Sequence, residues 1–358
     1  MHARPLQRDF TLQLLRSLGV PAAVLVASGC CHDVESTQCL PPDDDGMTCP
    51  SPDEARDELG VDEVREGPTF WPAREYVVAG ETVRDEAECC YETTSEVCSE
   101  MRGMGRAFLD EGRAVTAPAR RAEGDPWVAS RLRPAVADLT DDGRARLAAA
   151  WTERGLAEHA SIASLGRFAL DLLALGAPPD LVAAAHRAAS DEVRHAKLCF
   201  GLASVYAGAD VGPGTFPFAD GAVALSPDLA TFARRCALEG CLEETLGVVE
   251  LAERLAITTD PAVATVLAAL IRDERRHAEL AWRALRWAVG AGGDAVRHAV
   301  RGVFLRPSPS PPHVTRTGCT DAAHGELSSE RLRTIVDVAH HAIVLPCARA
   351  ALAQLASS

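Results

Sequence analysis

The feature that most restricts the fold of this chain is a repeated hexapeptide. Asp191-Glu192-Val193-Arg194-His195-Ala196 recurs as Asp273-Glu274-Arg275-Arg276-His277-Ala278, identical at five of six positions. The likeness reaches further back, because Pro179 stands thirteen residues before Glu192 and Pro261 thirteen before Glu274. Proline is well placed in the first turn of a helix, and apolar residues recur at three and four through both stretches. The chain therefore holds two related helix hairpins. Each carries Glu-x-x-His, a spacing that sets both side chains on one helix face.

The surrounding pattern predicts four long helices, over about 142–176, 181–207, 227–257 and 261–289. Ala177-Pro178-Pro179-Asp180 stops the first, and Gly208 to Asp220 makes a long connection after the second. Thr258-Thr259-Asp260-Pro261 separates the third from the fourth. Two short connections around one long crossover is a bundle topology. A further helix is expected over 328–355, kinked or split by Pro346. The expected fold is thus mainly α, with a four-helix bundle over 140–291 and a helical extension over 292–358.

Glu-x-x-His on two helices, with one Glu on each of the other two, is the inward-facing ligand set of di-iron and di-manganese bundle proteins. The first helix offers Glu158, 34 residues before Glu192. The third offers Glu243 and Glu244. Glu158 lies 21 residues before Pro179 and Glu244 lies 17 before Pro261, a difference of about one helical turn. Glu244 is therefore the chosen ligand, with Glu243 as the alternative. Several carboxylates converging in a helical core repel one another and resist desolvation unless a cation compensates them. Zinc favours closed four-ligand nitrogen and sulfur sites, whereas four Glu and two His suit iron or manganese.

On Glu158, Glu192-x-x-His195, Glu244 and Glu274-x-x-His277, residues 145–290 resemble the ferritin-like superfamily, which includes rubrerythrin, bacterioferritin and the small subunit of ribonucleotide reductase. The likeness covers about 40% of the chain. With the Cys89-Cys90-Tyr91 segment, the chain also resembles ferritin-like proteins of bacterial envelopes. The resemblance implies two non-haem iron ions, with manganese as the other choice. It makes Glu192 and Glu274 bridging ligands and Glu158 and Glu244 terminal ones, with His195 and His277 binding one ion each. It also implies that Asp273 orients His195 and Asp191 orients His277 from the outside. The plainer reading of those two aspartates is exposed carboxylates paired with Arg194 or Arg276.

Other residues have quieter readings. His159 is expected to point away from Glu158. Cys199 and Cys241 are placed to face the core, as small hydrophobes or with a disulfide or redox role. Trp151, Trp282 and Trp287 are expected to be packing residues, His340 and His341 structural ones, and Cys319 is a possible disulfide partner for Cys347.

The first hundred residues differ in kind. Arg4, Arg8 and Arg16 precede an apolar run from Leu18 to Ala27 that ends Ala27-Ser28-Gly29-Cys30. A basic start, a short apolar stretch and small residues before a cut site read as an export signal over 1–29. The small-small-Cys ending suits a lipoprotein, lipidated at Cys30. The run is too short to span a bilayer stably, so membrane attachment is expected only through that lipid. Residues 32–100 hold 20 acidic and 4 basic residues, and seven of the twelve cysteines lie between 30 and 98. Residues 30–125 are therefore expected to form an acidic, disulfide-tied, loop-rich region. The whole chain carries a net charge of −15 with 5% aromatics, which argues against a nucleic-acid partner.

The sequence thus predicts an exported protein of the bacterial cell envelope, or secondly a secreted one, acting as a di-iron oxidoreductase on dioxygen or peroxide. Its further substrate and reductant are not identified by the residues. Two rivals are a ferroxidase or iron-handling protein, and a non-enzymatic scaffold with a vestigial metal site.

Overall fold

The computed structural model describes residues 10, 13–14, 34–40, 48–52, 63–64, 69–71, 74–78, 81–85, 88–95, 106–110, 113–129, 131–218, 223–305 and 322–353. The chain divides into two compact units, one formed by 30–98 and the other by 1–29 with 99–358. The segment expected to be an export signal, apart from residues 10, 13 and 14, lies outside the described residues, as do Cys30, Cys31, Cys98 and Cys319.

In the first unit the described segments other than 48–52 are strands rather than loops. β1 (Val34–Leu40), β2 (Glu63–Val64), β3 (Thr69–Trp71) and β6 (Glu88–Ser95) form one antiparallel sheet, in which β6 pairs with each of the other three. β4 (Arg74–Val78) and β5 (Glu81–Asp85) make a separate antiparallel pair. Threonine, valine, tyrosine and other strand-favouring residues recur in these runs, a composition that favours a pleated strand over a free loop. A Cys49–Cys89 disulfide ties the sheet to the segment that precedes β2.

The second unit is mainly helical. α1 (Asp141–Ala174) opens on Thr140, whose hydroxyl accepts from the Gly143 amide at 3.1 Å, with Asp141 and Asp142 in the favourable first turn. α2 (Pro179–Ala207) follows with proline in its first turn and ends at Gly208 in the left-handed region. β9 (Ala119–Arg121) pairs with β10 (Val211–Pro213) across the start of the long connection, and the short hairpin β7 (Leu109–Asp110) and β8 (Arg113–Ala114) precedes it.

The expected third helix is three pieces: α3 (Leu229–Arg235), a π-helical segment (Cys236–Leu242) and α4 (Glu243–Ile257). The fourth is α5 (Pro261–Leu305), whose first turn is capped by the Asp260 carboxylate accepting from Ala262 and Val263 amides at 2.9 Å. It runs past the expected end at 289 and is broken at Gly293, which has φ 60°. The C-terminal helix divides into α6 (Ser329–Ala339), a second π segment (His340–Val344) and α7 (Leu345–Ala353). Pro346 thus falls in the first turn of α7, where a missing amide hydrogen matters least.

α1 packs along α2, α2 against α5, and α5 against α4. Two apolar clusters fill the interior. One contains Leu147, Trp151, Cys199, Leu202, Tyr206, Leu251, Val263, Leu267 and Leu270. The other contains Leu165, Phe168, Leu172, Phe232, Leu246, Trp282, Leu285 and Val289, together with Phe10 and Leu14. Along α1, α2 and α5 the apolar residues change cluster at one level, and at that level stand Glu158, Glu192 with His195, and Glu274 with His277.

Candidate metal centre

The repeat puts its two Glu-x-x-His motifs at the middle of α2 and in the first half of α5, each with about three turns of helix or more on either side to fix it. Glu158, Glu192, His195, Glu244, Glu274 and His277 are all buried. One ligand atom from each of Glu158, Glu192, His195 and Glu274 lies within 4.8 Å of all the others, so this group could hold a metal ion. The histidine Nδ1 atoms point inward. His195 Nδ1 is 3.3 Å from Glu192 Oε2 and 3.0 Å from Glu274 Oε1. His277 Nδ1 is 2.9 Å from Glu192 Oε1 and 3.5 Å from Glu274 Oε2. Each of the two repeat glutamates therefore offers one oxygen to each histidine. Glu158 Oε2 lies 3.8 Å from His195 Nδ1.

The outward nitrogens are held across the helix pair. His195 Nε2 is 3.2 Å from Asp273 Oδ2, and His277 Nε2 is 3.4 Å from Asp191 Oδ2. Each aspartate also meets arginines, although neither is an exposed carboxylate. Asp191 pairs with Arg194 at 3.0 Å and Arg276 at 2.9 Å. Asp273 pairs with Arg194, with Arg276 at 2.7 Å and with Arg272 at 3.1 Å. Asp273 is buried, while the arginines reach solvent.

The electrostatics follow from this placement. Burial pushes the Glu158 carboxyl well above its usual range, and the neighbouring Glu192 adds to the shift. Burial would raise Glu192 too, but His195 and His277 outweigh it and hold that carboxyl low. Burial disfavours charge on the two imidazoles, yet Glu192 and Asp273 raise His195, and Glu274, Asp191 and Glu192 raise His277. Glu244 is pushed up to about 8 by burial, against the pull of Arg106 and His277. Asp191 is held at about 2 because His277 and Arg276 outweigh its burial.

Polar atoms buried this deeply are normally hydrogen-bonded. Here both oxygens of Glu158, Glu192 and Glu244, one oxygen of Glu274, and Nδ1 of both histidines have no hydrogen-bond partner. Buried polar atoms without hydrogen bonds, gathered around these carboxylates, would suit a cation. Of the two candidates on the third helix, Glu244 is the fully buried one and Glu243 is only half-buried.

Sequence spacing missed three residues around Glu244. Arg106, 1% exposed, lies 3.7 Å from both Glu239 and Glu244. Glu239, in the π segment, is buried and bound by Ser164 and Arg167, each at 3.0 Å. Arg106 and Arg167 lie far from these glutamates in sequence and at no helical spacing to them, and a buried Glu239 has no periodic signature of its own.

The other candidates resolve simply. His159 does turn away, edge-on to Trp127 at 4.9 Å between ring centroids, and burial lowers its basicity. Trp151 and Trp282 are buried packing residues. Cys199, Cys236, Cys241 and Cys347 are buried free thiols, so Cys347 is not bridged to Cys319. No family model, no curated protein and no solved structure matches this chain.

Proposed function

We propose that this protein is a ferritin-like four-helix bundle binding two metal ions, iron or manganese, and that it works as an oxidoreductase on dioxygen or peroxide. The observation that carries the reading is the set of orphaned ligand atoms on all six residues that the repeat and its flanking helices nominate. α1, α2, α4 and α5 would be the four helices. Glu192 and Glu274 would bridge, since each reaches towards both histidines. Glu158 would cap the His195 half and Glu244 the His277 half.

A pair of reduced ions in such a cage supplies the two electrons that reduction of peroxide needs. The chain's own residues do the rest. Asp273 and Asp191 hold the Nε2 protons of His195 and His277, which leaves each Nδ1 lone pair free to ligate. The two apolar clusters on either side keep bulk water from the carboxylates, so their charge acts at full strength. Export to the bacterial envelope is part of the same proposal. It rests on the basic and apolar pattern of 4–30, and the Cys49–Cys89 bridge suits an oxidising compartment.

The test is elemental analysis of protein purified from its native compartment. About two iron or manganese ions per chain are expected, following the two-ion ligand set. Glu192→Ala and Glu274→Ala are each expected to lose them while the helical content is kept. Neither metal bound to a folded chain would leave only a scaffold with fossil ligands.

A further inference from the structure

The two halves of the centre are not alike. Glu158 and Glu244 hold corresponding places in the repeat, but among the described residues Glu158 has no arginine within ion-pair distance, and Glu244 faces Arg106. The fold makes room for that arginine deliberately. Glu239 lies in the π segment and Glu244 just past it in the first turn of α4, five residues on, the spacing that a π-helix brings to one side. Arg106 sits between them with its guanidinium 4.1 Å over the Phe168 ring. A side chain at Gly240 would put its Cβ 3.1 Å from Arg106 Nη1 and 2.6 Å from Ala281 Cβ, so only glycine leaves the slot open.

The contact is one of charge, not of hydrogen bonding. Nε, Nη1 and Nη2 of Arg106 all lack hydrogen-bond partners, as do both oxygens of Glu244. At 3.7 Å the Glu244 carboxylate is attracted but not locked. Glu239 is differently placed, because Ser164 and Arg167 already bind it. If Glu244 turned towards the histidines, Arg106 would still face Glu239, and Glu239 would keep its two hydrogen bonds. Glu244 and His277 both fall outside the tight group of Glu158, Glu192, His195 and Glu274.

We propose that Arg106 is a positioning residue that holds Glu244 away from the centre and so makes the two ions bind in order. This rests on the metal-binding reading above. The first ion enters at Glu158, His195 and the two bridging glutamates. The second, at His277, is completed only when Glu244 leaves Arg106, and it must also tolerate a buried guanidinium charge nearby. In a low-dielectric interior neither effect is screened by salt.

Cobalt(II) titration of the metal-free full chain, followed by calorimetry and by the visible absorption of the bound ion, tests this. The wild type is expected to bind in two steps, the second weaker by about tenfold or more, the scale on which residues around ligands alter affinity. Arg106→Met is expected to tighten the second step by about tenfold and leave the first unchanged, and Arg106→Lys to restore the gap. A folded Arg106→Met chain with unchanged steps overturns the proposal, as does wild type taking two ions in one step. Should Arg106→Met not fold, the ligand variants decide. Glu244→Gln is expected to keep one tight ion and Glu158→Gln only a weak one, and the reverse result overturns the order. No cobalt bound to the wild type sinks the metal-centre reading itself, whereas two ions bound without order sink only the role of Arg106.

Discussion

Glu158 is fully buried beside Glu192 and His195, with neither oxygen hydrogen-bonded. Stripping water from a carboxylate costs free energy that a neutral amide of the same shape avoids. The residue is thus placed for a cation and at the expense of the metal-free chain. Glu158→Gln is expected to raise the metal-free stability by about 1 kcal/mol, on the order of 2–4 °C in Tm. The same substitution is expected to abolish most of the Tm increase that manganese(II) gives the wild type. Paired thermal melts with and without manganese read both effects, and a metal-free variant less stable than wild type would contradict the argument. Glu158 and Glu244 were legible as buried carboxylates, because their distances from Pro179 and Pro261 differ by about one helical turn. Arg106 was not, because it lies in an irregular stretch where no period relates it to anything.

At the scale of elements, α5 shows what periodicity leaves unsaid. Ala291-Gly292-Gly293 reads as a helix stop, but Val296, Val300 and Phe304 follow at intervals of four and are buried, with the Phe304 ring 5.4 Å from that of Trp282. Their burial draws the chain back onto the core, and Gly293 supplies the turn by adopting φ 60°. A side chain there is strained, whereas Gly290 is ordinary helix with nothing within 4 Å of an added Cβ. Gly293→Ala is expected to destabilise by about 1–3 kcal/mol, and Gly290→Ala to stabilise by about 0.5–1 kcal/mol. Denaturant midpoints of the two variants check this, and equal shifts would refute it. The long helices themselves were legible, since Pro, Gly and Asp punctuate them as the capping chemistry requires. The π segments were not, because one extra residue in a turn alters no hydrophobic pattern strongly enough to be seen. The strands of 34–95 were passed over for a related reason. An acidic, cysteine-rich composition says little about backbone conformation when the strands run for only two to eight residues.

For the whole molecule, residues that read as an export signal also serve the core. Phe10 and Leu14 are buried in the larger apolar cluster, Phe10 lies under the Arg275 guanidinium, and Gln13 bonds Glu279 at 2.9 Å and Arg275 at 2.7 Å. A chain beginning at Cys30 is expected to lose on the order of 3 kcal/mol of unfolding free energy, from two buried side chains. Urea unfolding of the two lengths measures it. Equal stability would mean that the mature protein owes nothing to these residues, as a cleaved signal requires. The layer of charge that separates the two apolar clusters has a different consequence. An interior interrupted in this way is not bound to open all at once: either end of the helices can fray while the other stays shut. An ion gripped by α1, α2 and α5 at that fault line would rivet the two ends together, and so decide whether the protein behaves as one cooperative body or as two.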